Sequence, residues 1–229
     1  MARAVPQPRR GDESRRALVS IAIDCFSRYG YQGTSIDRIA RAAGVTKGAL
    51  YYHFKDKQEL LFGALDDRIG GFERVVVERV TRLKDPVAAL YEVADICVEQ
   101  ATISNHRRFI LTLMVEALDT QPELSERFRA MMRRFREFLA NTVAIGQRKG
   151  AFRAEVEPAF AAQLFVAALI GTELQYYQDP EAIPLRDSMH AVTEQFCAWL
   201  ATTNAPRRAP AGIVARGGPG RAPGPRNRR

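Results

Sequence analysis

Apolar residues recur along most of this chain at intervals of three and four positions, which places them on one face of an α-helix. Gly30 directly follows the first such segment, where a residue in the left-handed conformation is expected to end the helix. A convincing alternation of apolar and polar residues, which would indicate a β-strand, is not found. We therefore predict an all-α fold. The stripe of the first helix consists of Leu18, Ala22, Cys25, Phe26 and Tyr29.

The same periodicity predicts six longer helices in the rest of the chain, at about residues 58–82, 87–102, 105–118, 123–149, 158–177 and 185–203. Asp56 and Glu59 resemble a capping box at the start of the first of these helices. Gly70 and Gly71 interrupt its pattern, and they indicate either a bend, a loop or the end of the helix.

Residues 34–54 have the pattern of two short helices joined by a tight turn. We expect Thr34 to cap the first helix, with Asp37 adding negative charge to its first turn. Gly44 can adopt the positive φ that the turn requires. Thr46 is expected to cap the second helix, and Leu50 to point from that helix into the core. This arrangement is a helix-turn-helix.

The outward face of the second short helix is suited to nucleic acid. Small residues at its start let the backbone approach the floor of a groove, and larger polar side chains beyond them can reach phosphates and base edges. A helix fits the major groove of DNA, which is about 12 Å wide. The alternative is a purely structural helix pair. The residues of this face are Lys47, Gly48, Ala49, Tyr51, Tyr52 and His53.

The stretch from about residue 12 to residue 72 resembles the DNA-binding domain of the tetracycline-repressor (TetR) family. The resemblance covers roughly the first third of the chain, and the remainder matches the family only in its helical pattern and length. Many residues in register carry it: Cys25-Phe26, Gly30-Tyr31, Gly33-Thr34-Ser35, Ile39-Ala40, Ala43-Gly44-Val45, Lys47-Gly48, Leu50-Tyr51-Tyr52-His53-Phe54, Lys55, Lys57 and Leu60.

The resemblance implies which residues contact DNA. Thr34, Tyr52 and Lys57 would mostly hold phosphates, and the methyl group of Ala49 could touch a thymine methyl. The complete set of implied contacts is Thr34, Ser35, Lys47, Gly48, Ala49, Tyr51, Tyr52, His53 and Lys57.

The resemblance also implies that residues 73–204 bind an effector and form a homodimer. Residues 159–171 are apolar nearly all the way round a helix, so that this helix must be covered on both sides. The last helix offers a second amphipathic surface through Val192, Phe196 and Leu200. Two such helices from each subunit would form a four-helix interface, as in the family. The dimer would then place two recognition helices about 34–36 Å apart, matching successive major grooves.

The effector is expected to be a small molecule of unknown identity. The alternative for each candidate ligand residue is a place in the apolar core, which is the commoner role of such side chains at helical spacing. His106 and Glu116 are polar residues beside an apolar stripe that could anchor a ligand, although a place on the surface is the alternative. The candidates are Cys97, Phe109, Leu113, Met114, Phe138, Phe165 and Tyr176.

The charge of the chain is concentrated at its ends, so the net charge of +8 does not by itself indicate DNA binding. We expect residues 1–11 to be a disordered basic arm. Residues 205–229, with seven arginines and no acidic residue, are expected to be a disordered tail rich in Arg, Pro and Gly. This tail is either a solubilising extension or a nonspecific nucleic-acid contact.

Other classes of function find little support in the sequence. We find no enzyme motif, no metal-ligand spacing among the three cysteines and no secretion signal, so we expect a cytoplasmic protein that is not an enzyme and needs no cofactor. The prediction is a homodimeric transcription repressor that a small molecule releases from a palindromic double-stranded operator. Repression rests on the usual mode of the family. The alternative is a ligand-binding adaptor that has lost DNA binding.

Overall fold

The computed structural model describes residues 10–118 and 122–202, which form nine α-helices. Within these residues the β-structure consists of one isolated bridge between Phe152 and Ala201, which confirms the all-α prediction. The helices are α1 (Arg10–Tyr29), α2 (Ile36–Ala43), α3 (Lys47–His53), α4 (Lys57–Val80), α5 (Pro86–Ile103), α6 (His106–Glu116), α7 (Pro122–Arg148), α8 (Pro158–Gln178) and α9 (Leu185–Leu200).

Helix α1 buries its predicted stripe against α2, α4 and α6, with one exception. Tyr29 is 44% exposed, because its ring lies beside charged side chains at the surface. The guanidinium of Arg38 lies 4.1 Å from the centre of that ring. Gly30 ends the helix as predicted, with φ of 73° and its N–H donating to the Phe26 carbonyl.

Helix α4 joins the two parts of the molecule. It runs unbroken from Lys57 to Val80, so Gly70 and Gly71 lie inside a continuous helix and neither a loop nor a helix end occurs there. The predicted domain boundary between residues 72 and 73 therefore falls within α4. Leu60, Leu61 and Leu65 belong to the N-terminal core, whereas Val76 and Val80 belong to the C-terminal core.

The N-terminal core extends beyond the first four helices. Ile110 and Leu113 of α6 and Leu124 and Phe128 of α7 pack into the same apolar cluster as α1 to α4. The second cluster consists of residues from α4, α5, α7, α8 and α9, together with Phe152. The helix-turn-helix part consequently shares its interior with two helices that lie beyond residue 72.

Helix α8 has apolar residues on most of its circumference. Among the described residues it is the one helix that is long and apolar enough to cross a membrane, judged by length and composition alone. Its inner face packs against α7 and α9, and Phe165 stacks on Phe196 of α9 with ring centres 4.6 Å apart. A core helix passes the same length and composition test.

The ends of the chain differ from the predicted boundaries. Helix α1 begins at Arg10, so the predicted disordered arm of residues 1–11 is wrong for its last two residues. Helix α9 ends at Leu200, three residues before the predicted end. Residues 1–9, 119–121 and 203–229 lie outside the described residues, so the rest of the arm and the tail of residues 205–229 stay predictions.

Candidate nucleic-acid interface and ligand cavity

Helix α2 begins one residue later than predicted. Ser35 is the N-cap, and its Oγ accepts from the backbone N–H of Arg38 at 3.2 Å. Thr34 is 1% exposed, and its hydroxyl lies 3.1 Å from the Cys25 carbonyl oxygen and 2.7 Å from that of Gly30. The predictions that Thr34 caps α2 and holds a phosphate are therefore wrong, because its hydroxyl fastens the α1–α2 connection from inside.

The turn between α2 and α3 follows the predicted geometry. Gly44 has φ of 65°, and the N–H of Val45 donates to the Ala40 carbonyl at 3.0 Å. Thr46 caps α3, with its Oγ1 accepting from the Ala49 N–H at 3.2 Å. Leu50 is 1% exposed and anchors the inner side of α3 in the N-terminal core. These contacts fix which face of α3 is turned outward.

The outward face of α3 presents two large aromatic side chains to solvent. Tyr52 is 84% exposed and Tyr51 is 48% exposed. Exposed aromatic rings with a hydroxyl group are typical of binding surfaces, since the ring gives contact area and the hydroxyl gives a hydrogen bond. Of the other implied DNA contacts, Ser35, Lys47 and Gly48 are exposed, while Ala49 and His53 are half-buried.

The two lysines implied as DNA contacts have different surroundings. Lys47 forms an ion pair with Asp37 at 3.2 Å, and both side chains are more than half exposed. Such a surface pair contributes little to stability, so the ammonium is available to another anion. Lys57 instead donates to the Tyr31 carbonyl at 3.0 Å, and its Nζ lies 4.2 Å from the centre of the Tyr31 ring. Phosphate binding by Lys57 stays a prediction, alongside this internal role.

The connection from α3 to α4 is closed by a variant of the predicted capping box. Asp56 accepts from the backbone N–H of Glu59 at 2.8 Å, as expected. The Glu59 carboxylate accepts from the N–H of Lys55 at 2.6 Å, where a standard box would use the N–H of the capping residue itself. The two contacts engage the backbone N–H groups of Lys55 and Glu59, and they tie the α3–α4 connection to the first turn of α4.

The seven candidate ligand residues lie in the two apolar cores and are not brought together. Cys97 and Phe165 are fully buried, and Phe138 and Tyr176 pack around them in the C-terminal core. Burial raises the pKa of the Cys97 thiol to about 12. Phe109, Leu113 and Met114 belong to the N-terminal core. Helical spacing correctly placed these residues on the inner sides of their helices, where their neighbours are core side chains.

A small cavity lies between α4, α5, α6 and α7, with a volume of about 20 Å³. This volume holds about one water molecule, whereas pockets for drug-sized ligands measure about 300–1,000 Å³. None of the seven predicted ligand residues lines this cavity, and their role in effector binding stays a prediction. His106, one of the two predicted polar anchors, does line it. The lining residues are Arg68, Ile69, Phe72, Gln100, His106, Arg107, Ile110 and Met131.

A buried ion pair stands behind this cavity wall. The guanidinium of Arg107 donates to one carboxylate oxygen of Glu173 on α8 at 3.0 Å, and the Glu173 side chain is fully buried. Burial raises the pKa of Glu173, against the opposing effect of Arg107. Within the described part of the chain, the Oε1 of Glu173 and the hydroxyl of Tyr177 are buried without a hydrogen-bond partner. This pair was not predicted from the sequence. The signal that could have indicated it is Arg107, a charged residue on the apolar side of α6.

His106 connects α6 to the helix-turn-helix part. Its Nε2 lies 2.5 Å from Oδ1 of Asp24 on α1, and its side chain is 16% exposed. The next residue, Arg107, reaches in the other direction to Glu173 on α8. Two consecutive residues of α6 therefore join the helix-turn-helix part to the C-terminal part. Glu116, the other predicted polar anchor, is exposed at the end of α6.

Two family models match the chain. Residues 18–64 match the model for bacterial regulatory proteins of the tetR family, and residues 108–192 match that for the tetracyclin repressor-like C-terminal domain. The first match covers the end of α1, the helix-turn-helix and the start of α4. The second covers α6 to α9, so it supports the resemblance in the part of the chain where the sequence pattern was least specific.

Individual relatives agree with the family models. The transcriptional regulator AcrR of Shigella flexneri is 36% identical over 114 residues, which are 48% of this chain and 51% of AcrR. The chain thus spans about half the length of that relative. The transcriptional repressor KstR2 of Rhodococcus jostii is 29% identical over 155 residues, which are 64% of this chain and 72% of KstR2.

The fold also matches solved structures. A TetR transcriptional regulator from Chloroflexus aurantiacus superimposes with a TM-score of 0.77 at 28% identity, covering 85% of this chain and 99% of that one. The capped helix-turn-helix, the two matching family models and this whole-chain similarity agree with one another. The chain belongs to the TetR family of transcriptional regulators.

Proposed function

We propose that this protein is a dimeric transcription regulator that binds a palindromic operator in double-stranded DNA. The observation that carries the proposal is the outward face of α3, where Tyr51 and Tyr52 are exposed on a helix whose other side is anchored by Leu50. Similarity to AcrR and KstR2 supports a regulator, and the name of KstR2 as a repressor favours repression over activation. Acting on DNA, the protein would work in the cytoplasm, as a regulator and not as an enzyme.

Dimer formation is supported by an uncovered apolar face on α8 and α9. Phe160 is 51% exposed, Leu164 40%, Leu174 38% and Trp199 37%. Large exposed apolar side chains on two helices that pack together favour a protein partner, since their contact with water is unfavourable. A second copy of the chain is the occupant that a palindromic operator requires, because a two-fold axis must relate the two copies of α3.

Regulation would come from a small-molecule effector, and no cofactor is proposed. The effector would favour a dimer in which the two copies of α3 are wrongly spaced for successive major grooves. It must therefore bind this state better than the DNA-bound state, with a coupling of about 1–3 kcal/mol. The cavity between α4 and α6 supports this mechanism, because α4 continues directly from the helix-turn-helix.

DNA binding is tested by selecting bound duplexes from a random pool with the full-length protein at near-physiological salt. The expected product is an inverted repeat. Tyr51→Ala and His53→Ala are each expected to lose about 1–3 kcal/mol of specific binding and to relax the sequence preference. His190→Ala, which removes a half-buried histidine on α9, is the matched control and should keep the repeat.

The result decides between the regulator and the adaptor. Recovery of no consensus, or an equal effect of the α3 variants and His190→Ala, would contradict a role of α3 in reading DNA. The salt dependence adds a second criterion, because a protein that contacts several phosphates loses affinity steeply as the salt concentration rises.

The dimer is tested by light scattering after size-exclusion chromatography. Leu164→Glu places a charge on the apolar face of α8 and is expected to give a monomer. Val77→Glu is the control, since Val77 is a 49% exposed apolar residue on α4. A monomeric wild-type protein at micromolar concentration, or a dimer that persists in Leu164→Glu, would contradict the proposed interface.

A further inference from the structure

The cavity between α4, α5, α6 and α7 has a positively charged wall. Arg68 comes from α4 and Arg107 from α6, and Gln100 and His106 complete the polar part of the lining. The other four lining residues are apolar, and none of the eight is acidic. A wall that combines two guanidinium groups with an apolar side is chemically complementary to an anion that carries an apolar group.

Two polar groups on this wall have no hydrogen-bond partner in the described part of the chain. The side chain of Arg68 is half-buried, and its guanidinium forms no hydrogen bond or ion pair with another residue in 10–118 and 122–202. His106 uses Nε2 for Asp24, while its Nδ1 is buried without a partner among these residues. Buried polar groups are ordinarily hydrogen-bonded, so groups of this kind beside a cavity are available to a ligand.

The charges around the cavity favour a ligand with one negative charge. Arg107 is neutralised by Glu173, which lies behind the wall and is not a lining residue. Arg68 has no such counter-charge in the described part of the chain. A single anion would balance it, whereas an ammonium group would meet two guanidinium groups and no carboxylate on the wall.

We propose that the effector of this regulator is a hydrophobic monocarboxylate. Arg68 and Arg107 bind the carboxylate, and Ile69, Phe72 and Met131 contact the apolar body. The assignment rests on the proposed function in taking this cavity as the effector site.

The same geometry explains how such a ligand acts on the helix-turn-helix. With a volume of about 20 Å³ the cavity must widen to admit any such molecule, so binding moves α6 away from α4. His106 is the neighbour of Arg107 on α6 and is joined to Asp24 on α1, so this movement reaches the helix against which α2 packs.

The test uses two matched series of ligands and the full-length protein. Phenylacetate, 2-phenylethanol and 2-phenylethylamine share one apolar body and differ in the charge of the head group, as do hexanoate, hexanol and hexylamine. Affinity is measured by calorimetry and by the ligand-dependent rise of the melting temperature. Each carboxylate is expected to bind about tenfold or more tightly than its alcohol, which corresponds to one charge-assisted hydrogen bond. Acetate, which lacks the apolar body, is expected not to bind.

Two variants on α4 locate the site. Arg68→Gln is expected to weaken carboxylate binding about tenfold and to leave alcohol binding unchanged. Arg74→Gln makes the same charge change at an exposed position on α4 outside the cavity, and it should bind the carboxylates like the wild type. Arg107 is left intact in this test, because its removal would leave Glu173 buried and unpaired. Circular dichroism without ligand shows whether each variant is folded.

Four outcomes would overturn the ligand class: equal binding of alcohol and carboxylate, tighter binding of the amines, no binding of either carboxylate at millimolar concentration, or an equal loss in Arg74→Gln. Binding of acetate as tightly as hexanoate would contradict the proposed contact between the apolar lining residues and the ligand. DNA selection without ligand separates the two proposals. If an inverted repeat is selected but one of these outcomes is found, the proposed DNA-binding function is supported and the proposed ligand class is wrong. If the carboxylates bind but no DNA sequence is preferred, the ligand site is supported and the proposed DNA-binding function is wrong.

Discussion

Polar residues in the interior determine much of what is specific to this chain. The Thr34 hydroxyl is hydrogen-bonded to carbonyl groups of the α1–α2 connection, so Ser35 and not Thr34 caps α2. Arg107 and Glu173 form a buried pair whose members come from α6 and α8. A buried ion pair adds little stability in comparison with a well-packed apolar pair, yet removal of one partner is costly because the other charge stays buried.

This asymmetry gives a prediction for the Arg107–Glu173 pair. Glu173→Leu is expected to lower the free energy of unfolding by about 3–5 kcal/mol, since Arg107 then lies buried without its counter-charge. The double variant Arg107→Met/Glu173→Leu is expected to recover most of this loss. The free energies are measured by urea denaturation at one fixed protein concentration, because a dimer gains stability with concentration.

The pair formed by Arg134 and Glu73 is the matched control. Its two side chains are 49% and 31% exposed, so Glu73→Leu is expected to change the stability by at most about 1 kcal/mol. Equal losses in Glu173→Leu and Glu73→Leu, or a double variant no more stable than the single one, would show that the buried charge has no special cost.

At the scale of the elements, helix ends could be predicted because their causes are local. Gly30, Gly44 and Thr46 act through their own turn of backbone, and each does so in the structure. The choice between Thr34 and Ser35 could not be made in this way, since both can cap a helix and a distant carbonyl, that of Cys25, decides between them. Helical periodicity likewise shows that Cys97 is buried without showing which residues surround it.

Glycines inside helices illustrate the same limit, because the sequence does not tell which of them is needed. A Cβ at position 146 would overlap the ring of Phe152, so Gly146→Ala is expected to destabilise the protein by about 1–3 kcal/mol. At position 70 the nearest atom to a new Cβ is the flexible end of Arg74, at 3.5 Å. Gly70→Ala is therefore expected to stabilise α4 by about 0.5–1 kcal/mol.

The two glycine variants serve as controls for each other, since both replace a helical glycine with alanine, at position 70 inside α4 and at position 146 in the last turn of α7. Melting temperatures are measured at equal protein concentration. If the overlap with Phe152 determines the effect at position 146, Gly146→Ala lowers the melting temperature and Gly70→Ala raises it. A stabilised Gly146→Ala would mean that Phe152 moves aside at little cost.

At the scale of the whole molecule, the two cores are joined more closely than the predicted boundary at residue 72 implies. Met132 of α7 packs against both apolar clusters. Two ion pairs also fasten α4 to α7, one between Asp66 and Arg127 and the other between Glu73 and Arg134. A change in either part is transmitted through side chains that belong to both.

A protein built in this way should unfold in one step. The sequence has a single tryptophan, Trp199, which lies on α9 beside Phe196 and so reports on the C-terminal part and on the proposed dimer face. Far-ultraviolet circular dichroism reports on all helices, including α1 to α3. Because both cores contain residues of α4 and α7, and Arg107 joins α6 to α8, the fluorescence and circular-dichroism transitions in urea are expected to coincide. Two separate steps in the dichroism, with the fluorescence following only one, would mean that the helix-turn-helix part melts by itself. An effector in the cavity could then act on the helix-turn-helix part only weakly. Coupling between the two parts requires packed side chains that connect them.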